Sequence, residues 1–169
     1  SNNHKTYYNL ALIYEKNSKI DNAIDYYQKA ILINANYALA YNNLGNLLQS
    51  KGQIEEAKVN FKKAIDNDPE YAEAYRHLGR LEKYTKYNSQ ITNMEKIFID
   101  SNVSINKKIH IGFALGEAFS NIKDYQQSFY YFKIANKLRR EQLVYSIHDD
   151  IILSSEIKKV FKNKSLQNI

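Results

Sequence analysis

Four histidines, His4, His77, His110 and His148, are the side chains of this 169-residue sequence best suited to binding a metal or moving a proton. No two of them stand four apart on one helical stretch, the spacing that turns two imidazoles toward one ion. Asp149 and Asp150 follow His148, but acids are expected in the first turn of a helix from its dipole alone. Asp66-Asn67-Asp68-Pro69-Glu70 has the carboxylates of a calcium loop without the central glycine or the distal glutamate. Cysteine is absent, which removes disulfides, thiolate nucleophiles and thiolate zinc sites. No Ser, His and Asp are spaced to form a triad. The sequence is therefore expected to hold no catalytic residue, metal or cofactor. Arg76 and Arg80 are the stronger lead, because a guanidinium fork matches a carboxylate or another anion.

The elements that must position these residues are helical. Hydrophobic residues make up 44% and charged residues 25%, enough for a buried core and unlike a disordered chain. One proline and five glycines leave room for long helices, and no sustained period-two alternation marks a strand. No apolar run approaches the roughly 18 residues that a membrane span needs, and no signal peptide is visible, so the expected location is the cytoplasm. The chain begins at Ser1 without a methionine and reads as a segment of a longer one, with Ser1-Asn2 as a cloning remnant. Abundant Asn, Ile, Lys and Tyr suggest an AT-rich bacterial genome. The net charge is +6, and residues 133–164 carry four of those charges, an excess that a solvated face accounts for.

Shifting the sequence by 34 residues lays it on itself. Tyr7 falls on Tyr41, Leu10 on Leu44, Ala23 on Ala57, Tyr27 on Phe61, Ala30 on Ala64 and Tyr37 on Tyr71. A second shift places Tyr75 and Leu78-Gly79 under Tyr41 and Leu44-Gly45, and Leu115-Gly116, Phe119, Ser128, Phe132 and Ala135 repeat the spacing again. Residues 38–71 carry the pattern most fully, as Tyr41, Leu44-Gly45, Leu48, Ala57, Phe61, Ala64 and Pro69, and this pattern resembles the tetratricopeptide repeat. The resemblance implies an all-α, right-handed superhelical solenoid of antiparallel helix pairs. Its units are 4–37, 38–71, 72–108 and 109–142, the third degenerate because its second helix, 89–99, lacks the small residues. Residues 143–169 are expected to form a capping or linker region with a separate helix over about 147–162. Ser146 or Asp149 would start that helix, and Ile151, Ile152, Ile157, Val160 and Phe161 would be its apolar face.

Local chemistry explains the pattern. A mid-helix glycine costs roughly 1 kcal/mol against alanine, so Gly45, Gly79 and Gly116, with Ala11 in the first unit, mark places where two helices cross too closely for a larger side chain. Lys51-Gly52 is a helix stop, and Asp68-Pro69 ends one helix and starts the next. Tyr7, Tyr14, Tyr27, Tyr37, Tyr41, Tyr71 and Tyr75 fall on packing positions, whereas the phase of Tyr8 and Tyr84 points to the inner face.

A narrower resemblance rests on Arg76-His-Leu-Gly-Arg-Leu-Glu-Lys-Tyr-Thr85, Gln90-Ile-Thr-Asn-Met-Glu-Lys96, Phe113-Ala-Leu-Gly-Glu-Ala-Phe119, Asp124-Tyr125, Ser128-Phe129 and Asn136-Lys-Leu-Arg-Arg140. Over roughly residues 38–162 these are similar to the repeat half of bacterial tetratricopeptide sulfotransferases. The resemblance implies a neighbouring catalytic domain that uses 3′-phosphoadenylyl sulfate. The chain itself has no strand, phosphate loop and helix to hold that donor.

In such a solenoid the first helices line the concave side. The expected groove residues are Tyr8, Asn9 and Leu12 in unit one, and Asn42, Asn43, Asn46 and Gln49 in unit two. Unit three adds Arg76, His77, Arg80 and Lys83, and unit four adds Phe113 and Glu117. The amides suit a peptide backbone of any sequence, and the arginines suit an acidic group, so the expected partner is a protein or peptide lying in the groove. Tyr8 and Leu12, and Glu73 and His77, stand where a clamp for a C-terminal carboxylate would carry Lys, Asn or Arg, and only Asn43 matches that clamp. A stand-alone adaptor is the alternative reading. Nucleic acid, through Arg76, Arg80, Lys83 and the basic end, is a lesser one because the charge is modest and no base-stacking array is present.

Overall fold

Gly45 packs so tightly that a Cβ on it would lie 2.7 Å from the Phe61 ring. That crossing holds together the second of the helix pairs in the computed structural model. It describes residues 3–165, with side chains through Leu143 and at Ile151, Ile152, Ser154, Ser155 and Lys158 beyond it. Among the described residues there are eight helices and no strand. They are α1 (Asn3–Lys16), α2 (Ile20–Ile33), α3 (Ala38–Ser50), α4 (Ile54–Asn67), α5 (Ala72–Leu81), α6 (Ser89–Ile99), α7 (Ile105–Asn121) and α8 (Tyr125–Ser165). The all-helical solenoid expected from the repeat is the fold observed.

Three helix pairs obey one rule. α1 packs on α2, α3 on α4, and α7 on α8. In each, a small residue of the first helix faces a ring or alanine of the second: Ala11 and Tyr27 are completely buried, Gly45 meets Phe61, and a Cβ on Gly116 would lie 2.6 Å from Phe132. Each pair is also closed by the same turn, with a left-handed residue just past the first helix. After α3 that residue is Gly52, at φ 78°, and the Gln53 and Gly52 amides donate to the Leu48 and Gln49 carbonyls at 2.9 and 3.0 Å. Ser18 (φ 59°) and Lys123 (φ 66°) repeat the turn after α1 and α7. The second helices end on Asx turns, in which the Asn34, Asp68 and Asp100 side chains accept from the amides of Asn36, Glu70 and Asn102. The Asp68 carboxylate of the calcium-like run thus serves a turn, and no metal-binding group of acids and histidines occurs among the described residues.

The third unit breaks the rule. α5 stops at Leu81, Glu82 is extended, and residues 82–88 form no left-handed turn. Tyr84, Thr85, Tyr87, Asn88 and Ser89 are all poor helix formers, and the Asn88 side chain caps α6 by accepting from the Ile91 amide at 3.0 Å. α6 buries Ile91, Met94, Ile97 and Phe98 as expected, but it packs against α7 rather than folding back on α5. Phe98 sits over Gly112, and Tyr131 of α8 donates to Glu95 of α6 at 3.2 Å. α7 in turn packs on α5, and Gly79 faces Ala114 with 4.0 Å of clearance for a Cβ. Residues 72–108 are therefore not a helix pair of the regular kind. Tyr84 and Lys83, expected on the inner helix face, lie in the 82–88 segment instead, Tyr84 buried and Lys83 exposed.

The C-terminal end differs as well. The separate helix expected over 147–162 is not formed. α8 starts on Asp124, whose carboxylate accepts from the Gln127 amide at 3.1 Å, and continues without a break to Ser165. No glycine or proline interrupts residues 125–165, so nothing in the chain forces a turn at 143–146. At roughly 1.5 Å per residue, α8 outruns α7 by some distance. Ile151 and Ile152 are exposed rather than covering the last pair. The side chains of Ser146, His148, Asp149, Asp150, Ile157, Val160 and Phe161, and residues 1 and 2, lie outside the described residues.

The packing predicts opposite outcomes at two equivalent repeat positions. Gly45→Ala should destabilise by about 1–3 kcal/mol, because its methyl meets a buried ring. Gly79→Ala should stabilise by up to about 1 kcal/mol, because helix propensity rises and no atom is displaced. Urea denaturation reads both. Equal losses at the two sites would mean that a second helix crosses α5 at Gly79 as it does at Gly45.

Candidate functional site

α1, α3, α5 and α7 bring the expected groove residues into two regions of different character. The first is a polar network. The Asn43 side-chain amide donates to Tyr8 Oη at 3.0 Å and to Tyr27 Oη at 3.2 Å, and Tyr27 donates to the Glu15 carboxylate at 2.7 Å. Burial, with the Glu15 contact, pushes the Tyr27 hydroxyl well above its ordinary range, and burial also raises Tyr8. Tyr8 packs edge-on to Tyr37 and tilted to Tyr27. Asn42 is buried at 4% exposure and donates to Asn43 Oδ1 at 3.3 Å. Both amide hydrogens of Asn43 are therefore spent on tyrosines, and Asn42 is out of reach of a ligand. These two residues, expected to hold a peptide backbone, tie α1, α2 and α3 together. Asn9, Leu12, Asn46 and Gln49 remain at least partly exposed, and among the described residues the amides of Asn9, Asn46 and Gln49 have no hydrogen-bond partner.

The second region lies where α5 meets α7. The Arg76 guanidinium lies over the Phe113 ring, 5.3 Å from its centroid, and its Nη1 is 3.2 Å from His110 Nδ1. Arginine only donates, so His110 Nδ1 must accept, which leaves the ring proton on Nε2. That nitrogen is 3.9 Å from the Glu73 carboxylate. Arg76, Arg80, Phe113 and Glu117 line a cleft of about 150 Å³. His77 stacks on Phe61, with ring centroids 5.2 Å apart and 17° between planes. Arg139 of α8 is exposed and is not among the residues lining the cleft, although its charge acts on Arg76 and on His110. Burial first, then Arg80 and Arg139, pull Arg76 below its ordinary value. Burial also depresses His77 and His110, reinforced at His77 by Arg76 and Arg80 and opposed at His110 by Glu73.

Sequence reading missed His110, Glu73 and Arg139. His110 stands 34 residues after Arg76, so the repeat period itself was a signal for that contact. Arg139 belongs to the second helix of its pair, and no periodicity of first helices would have found it. A wider hollow of about 540 Å³ lies along α8 beside Lys133, Lys137, Arg140 and Glu141, all on one helix.

The fold and this inner face define a helical-repeat solenoid. Residues 4–70 match the family model of the tetratricopeptide repeat, so the first two helix pairs are similar to that repeat. Among solved structures, BtubC (BKLC) from P. vanneervenii aligns with a TM-score of 0.59 at 20% identity, over 82% of this chain and 64% of BtubC. This chain thus spans slightly less than two thirds of that protein's length. MamA aligns with a TM-score of 0.57 at 22% identity, over 85% of this chain and 82% of MamA. At such identities the likeness is one of fold. No curated protein matches the sequence.

The lowered histidines make stability depend on pH. The unfolded chain takes up protons at His77 and His110 before the folded one does, so their contribution is complete above about pH 6.5 and declines as pH falls toward the folded values. The urea midpoint should drop between pH 7.5 and pH 5.5. The double variant His77→Gln/His110→Gln should show a shallower drop, and an unchanged slope would mean that neither ring is held neutral by the fold.

Proposed function

We propose that this chain is a protein-binding scaffold module that takes an extended, acidic segment of a partner along its inner face. The observation that carries this reading is the state of the arginines. Among the described residues Arg76 and Arg80 line one open cleft beside the Phe113 ring, and neither pairs with a carboxylate. The available amides of Asn9, Asn46 and Gln49 lie on the helices leading to that cleft and suit the backbone of an extended peptide. The tetratricopeptide-repeat match at residues 4–70 supports a binding role over a catalytic one.

Attachment to a sulfotransferase domain remains a proposal that rests on the quoted segments between Arg76 and Arg140. In that setting the module would present an acceptor protein to the neighbouring domain, and as a free adaptor it would join two proteins. Nucleic acid is disfavoured, because Lys83 is not on the α5 face with Arg76 and Arg80 and the cleft is small.

Binding can be read on an array of short peptides of varied charge, followed by titration of the best ligand. Arg76→Ala/Arg80→Ala should weaken an acidic peptide by about tenfold or more, in keeping with two charge-assisted contacts, and leave the helical circular dichroism unchanged. Undiminished affinity in the folded double variant would remove the cleft from the binding surface.

A further inference from the structure

Arginine is scarce here. The sequence has twenty-four basic residues, of which only Arg76, Arg80, Arg139 and Arg140 are arginines. The surface ion pairs use lysine throughout. Two of the four, Arg76 and Arg80, nevertheless line one cleft where α5 meets α7. Lysine is a flexible point charge, whereas arginine is a rigid fork that binds planar or tetrahedral oxyanions through paired N–H groups. Arg76 is already oriented. One face rests on Phe113 and one nitrogen is anchored on His110, so part of its fork is left free. Arg76 is half-buried and Arg80 exposed, and an anion of matching charge relieves the repulsion between them.

Resting on the acidic-segment reading above, we infer that the cleft formed by Arg76, Arg80 and Phe113 is a site for a phosphate monoester carried on the partner peptide rather than for a side-chain carboxylate. A carboxylate has two oxygens, which one guanidinium fork satisfies. A phosphate monoester offers three terminal oxygens and between one and a half and two charges at neutral pH, roughly, enough to engage both forks at once. The cleft volume of about 150 Å³ holds such a group and little more, so the rest of the peptide lies along the inner face.

The test is a set of calorimetric titrations of the whole chain with three probes at constant ionic strength: N-acetyl-Ala-phosphoserine-Ala-amide, its glutamate counterpart, and inorganic phosphate. The phosphoserine peptide should bind about tenfold or more tightly than the glutamate peptide. Arg80→Ala and Arg76→Lys should each erase that preference, the second while keeping the charge, and Arg140→Ala should leave it intact. Thermal melts followed by circular dichroism establish that each variant is folded. Equal binding of the two peptides, or a preference that survives Arg80→Ala, would overturn the phosphate assignment and leave the acidic-segment reading standing. Binding of neither peptide would overturn both. Inorganic phosphate binding as tightly as the phosphoserine peptide would overturn the peptide-borne part and assign the cleft to the free anion.

Discussion

A ring seated over a glycine is the constraint on which this molecule depends. At Gly45 under Phe61 and at Gly116 under Phe132, the two helices of a pair come so near that a methyl group would collide with the ring. The geometry serves two purposes. It lets a large aromatic side chain bury completely between helices, and it sets the distance at which the next pair must stack. The turn that closes each pair follows from the same requirement, because only a left-handed residue such as Gly52 reverses the chain within a few residues. A pair of this kind leaves apolar surface on its outer side, which only a neighbouring pair can cover, so the repeats stabilise one another as a stack.

The inner cleft owes its existence to the one place where that constraint is relaxed. α5 carries the glycine of the pattern at Gly79, but the segment after Leu81 does not reverse, and α6 is carried off to pack against α7. α7 then settles on α5 directly, with Ala114 beside Gly79. Arg76 lies on Phe113 and His110 across these two first helices, His110 one repeat length away in sequence. Arg139, in the part of α8 that runs beside α7, adds its charge to Arg76.

The two polar regions of the inner face illustrate how burial decides a side chain's role. Asn43 has the same chemistry as Asn46, yet its amide hydrogens are consumed by Tyr8 and Tyr27, and it acts as a strut between α1, α2 and α3. A buried amide left without partners would be costly, and the Tyr8 and Tyr27 hydroxyls take the amide hydrogens of Asn43, while the buried Asn42 Oδ1 has no partner among the described residues. Around Arg76 the balance is reversed. The guanidinium is held by a ring face and a neutral imidazole, neither of which cancels its charge, and the positive charge is kept available at the surface.

The repeat period, the close crossings at Gly45 and Gly116, the helix stop at Gly52 and the burial of Tyr27, Tyr41 and Tyr75 were legible in the sequence, because each is a local requirement imposed on a residue type by its own helix and turn. Arg76 and Arg80 could be placed on one inner face for the same reason. What periodicity could not supply was the fate of the third unit. Whether the segment 82–88 turns back or runs on depends on a competition between α6 and α7 for the same surface of α5, and that competition is settled only by packing. The partners of Arg76 and the seclusion of Asn42 both follow from its outcome. The continuity of α8 is of the same kind, since the residues near 143–146 neither favour nor forbid a turn strongly and the apolar positions beyond them fit either arrangement. Sequence determined the helices and their regular crossings because those are short-range sterics. Tertiary structure decided which helices meet across the cleft, because that is set by long-range burial that no single segment encodes.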